Sequence, residues 1–201
     1  LNSPDWASSI RDLSARFGAQ ALIGGGTVLQ PAQADALAAA GGKLVVTPNT
    51  RPSLIAHAVR RGLYVAAGFA TASEAFDALD AGAQALKLFP ATTYGPAHVK
   101  ALRAVLPPVP LFAVGGITPD NLAEYLRAGC IGAGLGSDLY RPGQDAARTA
   151  DRARAYVGAY QAAITRRRPE AVVTARACPL FVALAEEGWT DGPIVEGVIH
   201  R

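Results

Sequence analysis

A lysine interrupts an apolar run in Ala85-Leu86-Lys87-Leu88-Phe89-Pro90-Ala91. The run reads as a β-strand, and along a strand alternate side chains point to opposite faces. Leu86 and Leu88 then share one face, while Ala85, Lys87 and Phe89 share the other. A sheet covered on both faces draws the ammonium into a partly desolvated interior, and desolvation lowers a lysine pKa. The neutral amine is a nucleophile toward carbonyl carbon, which is the basis of Schiff-base chemistry. The plainer readings are a lysine that snorkels to the end of the sheet, or one paired with an acid on a neighbouring strand. Charge is seldom buried without a role or a partner, so Lys87 is the first candidate catalytic residue.

Outward from this strand the same pattern repeats. Short apolar runs ending in glycine or a polar residue cover 21–25, 43–47, 64–68, 85–89, 111–115 and 131–136. They lie roughly 20 to 28 residues apart, the spacing of compact β/α units with parallel strands. The intervening stretches carry helix punctuation. Pro31 suits a first turn and Gly41-Gly42 a stop. Thr71-Ala72-Ser73-Glu74 reads as a capping box, with Gly82 closing its helix. Thr118-Pro119-Asp120 opens a helix that ends at Gly129, and another covers 145–165 with Ala150, Ala153, Val157 and Ile164 on one face.

An alternating β/α chain makes either an open doubly wound sheet or a closed barrel. Gly132-Ala133-Gly134-Leu135-Gly136 lacks the third glycine of a dinucleotide fingerprint, because Ser137 stands three residues beyond Gly134. Gly115-Gly116 and Gly136-Ser137 end consecutive strands. Barrels commonly hold phosphate with the loops after their last two strands. Glycine backbone amides, a serine hydroxyl and a helix N-terminus together make an anion site; tight turns are the plainer use of the same glycines. An amine nucleophile, a phosphate site and a barrel together suggest a class I aldolase acting on a phosphorylated keto acid.

The 201 residues suit one domain with or without an appendage; half are apolar and 17% charged, which excludes a disordered chain. Net charge is only +3, and the basic run Arg166-Arg167-Arg168 has no interleaved aromatics, so it reads as an exposed helix end and no nucleic-acid partner is expected. No apolar run approaches the ~20 residues of a membrane helix, and no signal peptide opens the chain. Cys130 and Cys178 have no disulfide or metal-ligand spacing, which points to a reducing cytoplasm. No histidine–carboxylate cluster suggests a metal. His57 and His98 read as solvent-facing helix positions, Asp138 as orienting the serine or capping a short helix, and Tyr94 as bordering the pocket.

Taken in order, several stretches carry a family pattern: Leu1-Asn2-Ser3-Pro4, Ile23-Gly24-Gly25-Gly26-Thr27-Val28-Leu29, Val46-Thr47-Pro48-Asn49, Leu86-Lys87-Leu88-Phe89-Pro90, Phe112-Ala113-Val114-Gly115-Gly116-Ile117-Thr118-Pro119 and Gly132-Ala133-Gly134-Leu135-Gly136-Ser137-Asp138-Leu139-Tyr140. Residues 1–165 thereby resemble the keto-deoxy-phosphogluconate aldolase family, on its galactonate rather than its gluconate branch. The resemblance implies an α/β fold of the (β/α)8 TIM-barrel family and a homotrimer. It implies cleavage of a keto-deoxy sugar acid phosphate to pyruvate and D-glyceraldehyde 3-phosphate, without metal or cofactor. Lys87 would be the Schiff-base lysine, Thr27 and Pro48 would line the pyruvate pocket, and Gly115, Gly116, Gly136 and Ser137 would hold the phosphate.

The same resemblance implies two departures. The family's first two strands precede Leu1-Asn2-Ser3-Pro4, so the expected architecture is an open arc of six strands. A catalytic glutamate and a carboxylate-binding arginine belong to that earlier portion; Glu74 and Glu124, on outer helices, replace neither. A general acid–base group typically contributes about 10²- to 10⁴-fold in rate, so slow turnover, or a non-catalytic remnant that binds phosphate, is the competing expectation. The segment 166–201, with Ala177-Cys178-Pro179-Leu180-Phe181-Val182, resembles a piece of glutamate racemase, in which Cys178 reads as a small buried hydrophobe.

Overall fold

The computed structural model describes residues 1–165. The racemase-like segment, Cys178 and the arginine run therefore lie outside the described residues. The strands are β1 (Gly24–Gly25), β2 (Leu44–Val46), β3 (Tyr64–Phe69), β4 (Ala85–Leu88), β5 (Leu111–Val114) and β6 (Gly132–Gly134). All pairings are parallel, and the strands stand side by side in chain order. Among the described residues, β1 pairs only with β2 and β6 only with β5, so the sheet is an open half-barrel. All six expected strands are present, and the arc does not re-close into a smaller ring.

The helices are α1 (Trp6–Phe17), α2 (Pro31–Ala39), α3 (Pro52–Arg60), α4 (Ala72–Asp80), α5 (Ala91–Arg103), α6 (Pro119–Ala128) and α7 (Ala146–Thr165). Prolines open α2, α3 and α6 in the first turn, where a missing N–H costs nothing. The expected capping box of α4 forms: Thr71 Oγ1 accepts from Glu74 N, and the Glu74 carboxylate accepts from the amides of Ala70 and Thr71. Thr118 and Asn121 do the same for α6. α5 breaks at Gly95 (φ 77°, ψ 170°), just before Pro96, so Ala91–Tyr94 forms a separate turn at the top of β4.

The pleat divides the sheet. Val45, Val65, Ala67, Leu86, Leu88, Leu111 and Ala113 belong to the large core shared with the helices. Leu44, Val46, Ala66, Ala85 and Phe112 form a smaller cluster on the concave face, with Tyr64, Val114 and Ile131 packed against it. The face expected for α7 is corrected. Its fully buried residues are Thr149 and Tyr156, flanked by Ala153, Tyr160 and Ala163, while Ile164 is 41% exposed. Two tyrosine rings with polar anchors bury more surface than an alanine stripe, and they set the helix rotation.

Candidate active site

Lys87 lies on the concave face of β4, with Ala85 beneath it and Phe89 above. Its register neighbours are Gly68 on β3 and Phe112 on β5. The side chain is half-buried, and its Nζ sits 4.7 Å from the centre of the Phe89 ring. Burial pushes its pKa down to about 8. Among the described residues no carboxylate forms an ion pair with it, which removes the paired-lysine alternative. A glycine at position 68 lets the turn after β2 pack directly on the strand beside Lys87. A Cβ there would lie 2.3 Å from the Pro48 carbonyl carbon, so the turn after β2 is pressed against the Lys87 neighbour.

Thr47 holds that turn. It is fully buried; its Oγ1 accepts from Gly68 N at 3.0 Å and donates to Asn49 O at 2.7 Å. Thr50 Oγ1 donates to Gly68 O at 2.8 Å from the other side. Pro48, half-buried, is thereby held against Gly68, the register neighbour of Lys87. Thr27 follows β1 at the same edge of the sheet, with φ 53°, an uncommon conformation for a β-branched residue. The adjoining Val28 N donates to Val46 O, tying the segment to β2.

The two glycine loops follow β5 and β6. Gly115 (φ 96°) and Gly116 (φ 74°) are both left-handed and fold back on the turn after β4. A Cβ on Gly116 would meet Thr92 Oγ1 at 2.4 Å, and one on Gly115 would touch the Phe89 ring and Pro90. Asn121 of α6 donates to Gly116 O at 3.0 Å, setting the loop against the start of that helix. Gly136 is exposed with open space where a Cβ would stand, and its carbonyl accepts from the amides of Leu139 and Tyr140. Ser137 is also exposed, and its carbonyl accepts from Arg141. Lys87, Thr27, Pro48 and both loops thus all lie at the C-terminal edge of the sheet, where barrel enzymes carry their active sites.

A family model described as KDPG and KHG aldolase matches residues 2–156. The chain belongs to the KDPG and KHG aldolase family. It is 57% identical over 165 residues to the 2-dehydro-3-deoxy-6-phosphogalactonate aldolase of Escherichia coli K12, covering 82% of this chain and 80% of that relative. A solved structure described as native KDPGal matches at 56% identity with a TM-score of 0.79, covering 81% of this chain and 80% of the other. A KDPG aldolase from Legionella pneumophila, solved with pyruvate captured as a covalent carbinolamine, is 31% identical with a TM-score of 0.60, and the match covers 66% of each chain. Family membership makes this chain an enzyme, a lyase of the aldolase type.

In this aldolase several expectations change. His57 does not simply face solvent: its Nε2 lies 3.0 Å from Asp35, which also binds Arg61 and whose carboxyl is held below its usual range, first by the His57 hydrogen bond. His98 is half-buried, bonded to Ala70 O at 2.8 Å and stacked on the Tyr94 ring. Tyr94 is 40% exposed on the turn above β4. Asp138 neither orients Ser137 nor caps a helix; its carboxylate binds Arg152 and Tyr156 of α7. Glu74 is held below the usual carboxylate range by its cap bonds, led by the Ala70 amide, and Glu124 is exposed on α6. Among the described residues no cluster of three metal-binding side chains occurs, and no helix is long and apolar enough to cross a membrane.

Sequence reading missed Thr47, Gly68, Thr92 and Tyr156. Thr47 sits inside the quoted Val46-Thr47-Pro48-Asn49 stretch. A hydroxyl at the end of an otherwise apolar strand was the signal that could have singled it out.

Proposed function

We propose that this chain cleaves 2-dehydro-3-deoxy-6-phosphogalactonate to pyruvate and D-glyceraldehyde 3-phosphate through an imine on Lys87. The observation that carries the reading is the unpaired, half-buried amine at the C-terminal edge of β4, with a pKa near 8. The name of the 57% identical relative supports the galactonate substrate.

The free amine of Lys87 bonds to the keto carbon C2, and water leaves as the protonated imine forms. That cation draws in the electrons of the C3–C4 bond while the C4 hydroxyl gives up its proton to a water molecule, releasing the phosphorylated aldehyde. The enamine left on Lys87 takes a proton at C3, and water hydrolyses the imine to free pyruvate. Thr27 and Pro48 stand at the pyruvate end. Gly115, Gly116, Gly136 and Ser137 take the phosphate on backbone amides and a hydroxyl. Glu74 is committed to its helix cap and does not take the C4 hydroxyl proton. Assembly as a homotrimer in the cytoplasm belongs to the same reading, supported by the family resemblance; sedimentation measures the former.

Borohydride reduction in the presence of pyruvate, followed by peptide mass spectrometry, is the decisive test. Mass should appear on Lys87 and not on Lys43 or Lys100. The trapping rate should rise with pH as the amine deprotonates, then level off above about 8. Equal labelling of the three lysines would remove the Schiff-base assignment.

A further inference from the structure

Tyr156 is buried in α7, far along the chain from both glycine loops, at 2% exposure. Its hydroxyl stands between two acceptors. Its one proton is shared between them: Ile117 O at 2.7 Å, one residue past Gly116, and Asp138 Oδ2, one residue past Ser137. Arg152, one turn earlier on α7, donates from Nε to Asp138 O at 3.0 Å and from Nη2 to the Asp138 carboxylate. The loops after β5 and β6 are thus joined through one hydroxyl. Burial first, and then Asp138, pushes that hydroxyl well above the ordinary phenol range, so it remains a donor at any working pH.

The consequence is geometric. Ligand oxygens held by amides from two loops are bound well only if the loops keep a fixed separation. Neither loop has another strand-to-strand bond at this level, because the β5–β6 ladder ends at Val114 and Gly134. We propose that Tyr156 is a positioning residue that fixes the separation of the Gly115-Gly116 and Gly136-Ser137 loops and so shapes the phosphate pocket. This rests on the phosphate reading made above.

The test uses Tyr156→Phe, which keeps the ring, and Tyr160→Phe as its control. Tyr160 lies on the same helix, but its hydroxyl donates to Ile131 O, at the opposite end of β6. Two measurements are made on the whole chain. Hydrogen exchange without ligand should speed up over 115–118 and 136–138 in Tyr156→Phe and not in Tyr160→Phe. Borohydride trapping at Lys87 is then titrated with the phosphorylated keto acid, with its unphosphorylated analogue and with pyruvate. Tyr156→Phe should raise the half-saturating concentration of the phosphorylated compound roughly tenfold, the scale of one lost hydrogen bond, and leave the other two unchanged.

Unchanged exchange at the loops overturns the inference, as does equal weakening of all three ligands. A wild-type chain with no preference for the phosphorylated compound refutes the phosphate reading itself, and Tyr156 then has nothing to position. If Tyr156→Phe folds poorly, Asp138→Asn keeps the ring in place and breaks the Arg152 ion pair. It carries the same expectations at smaller size.

Discussion

Leu86 and Leu88 project from β4 into the helix layer and retain no exposed surface, whereas Lys87 between them projects into the concave face and stays half-exposed. The outer face is a continuous core running from α1 to α7. The concave face has only a small apolar floor, and above it Lys87 stands beside Gly68 and against the Phe89 ring, with Gly115 packed against the same ring. The strand therefore separates two tasks by parity. One set of side chains supplies packing, and the next supplies a partly desolvated nucleophile.

Replacing Lys87 by methionine should show the contrast most strongly. Aldolase turnover should fall by roughly 10⁴-fold or more, the scale of losing a covalent nucleophile, in a chain that is more stable than the wild type. The sign follows from the depressed pKa. The unfolded chain binds the lysine proton up to about pH 10.5, and the folded chain releases it near 8. Wild-type stability therefore rises with pH across that window, and the penalty is full below it. At neutral pH Lys87→Met should gain up to about 3 kcal/mol, an advantage that fades as pH approaches 10.5. Urea titrations at pH 7 and pH 10 would measure it; a destabilised Lys87→Met at pH 7 would break the comparison.

Leu86→Ala should do the opposite. It empties a fully buried position under the helices and should cost about 2 to 5 kcal/mol, while the folded fraction retains its trapping by pyruvate. Thr47→Val falls between the two. It leaves the buried Gly68 N without its acceptor and removes the bond to Asn49 O, costing roughly 1 to 3 kcal/mol, and should also slow imine formation, because the Pro48 turn packs on Gly68, the register neighbour of Lys87. Stability loss with unaltered trapping would place Thr47 with the outer core.

The strand register and the lysine's face were legible because both depend on local alternation. All six strands came from short apolar runs, although β1 narrows to Gly24–Gly25 where, among the described residues, one neighbour supports it. The caps at Thr71 and Thr118 were legible for the same reason: both partners lie within one turn. What escaped was long-range. His57 is defined by Asp35 on another helix, His98 by the Ala70 carbonyl, and Asp138 by Arg152 and Tyr156. Chain-local patterns do not show such partners. The rotation of α7 was misread because two tyrosines outweigh the alanines that set the apparent stripe. The glycine loops could be located, but the hydroxyl that joins them could not.

The strand order has a bearing on how the chain acquires its shape. Each strand pairs with its predecessor, as in Gly24↔Leu44, Leu44↔Tyr64, Ala66↔Ala85, Leu86↔Leu111 and Phe112↔Gly132, so no ladder spans more than 25 residues of chain. Closing such short loops carries little entropic penalty. Each β/α unit can dock on the one already made, in the order a ribosome delivers it. Tyr156 follows both loops in the chain, so the tie between them is fastened only after both are built.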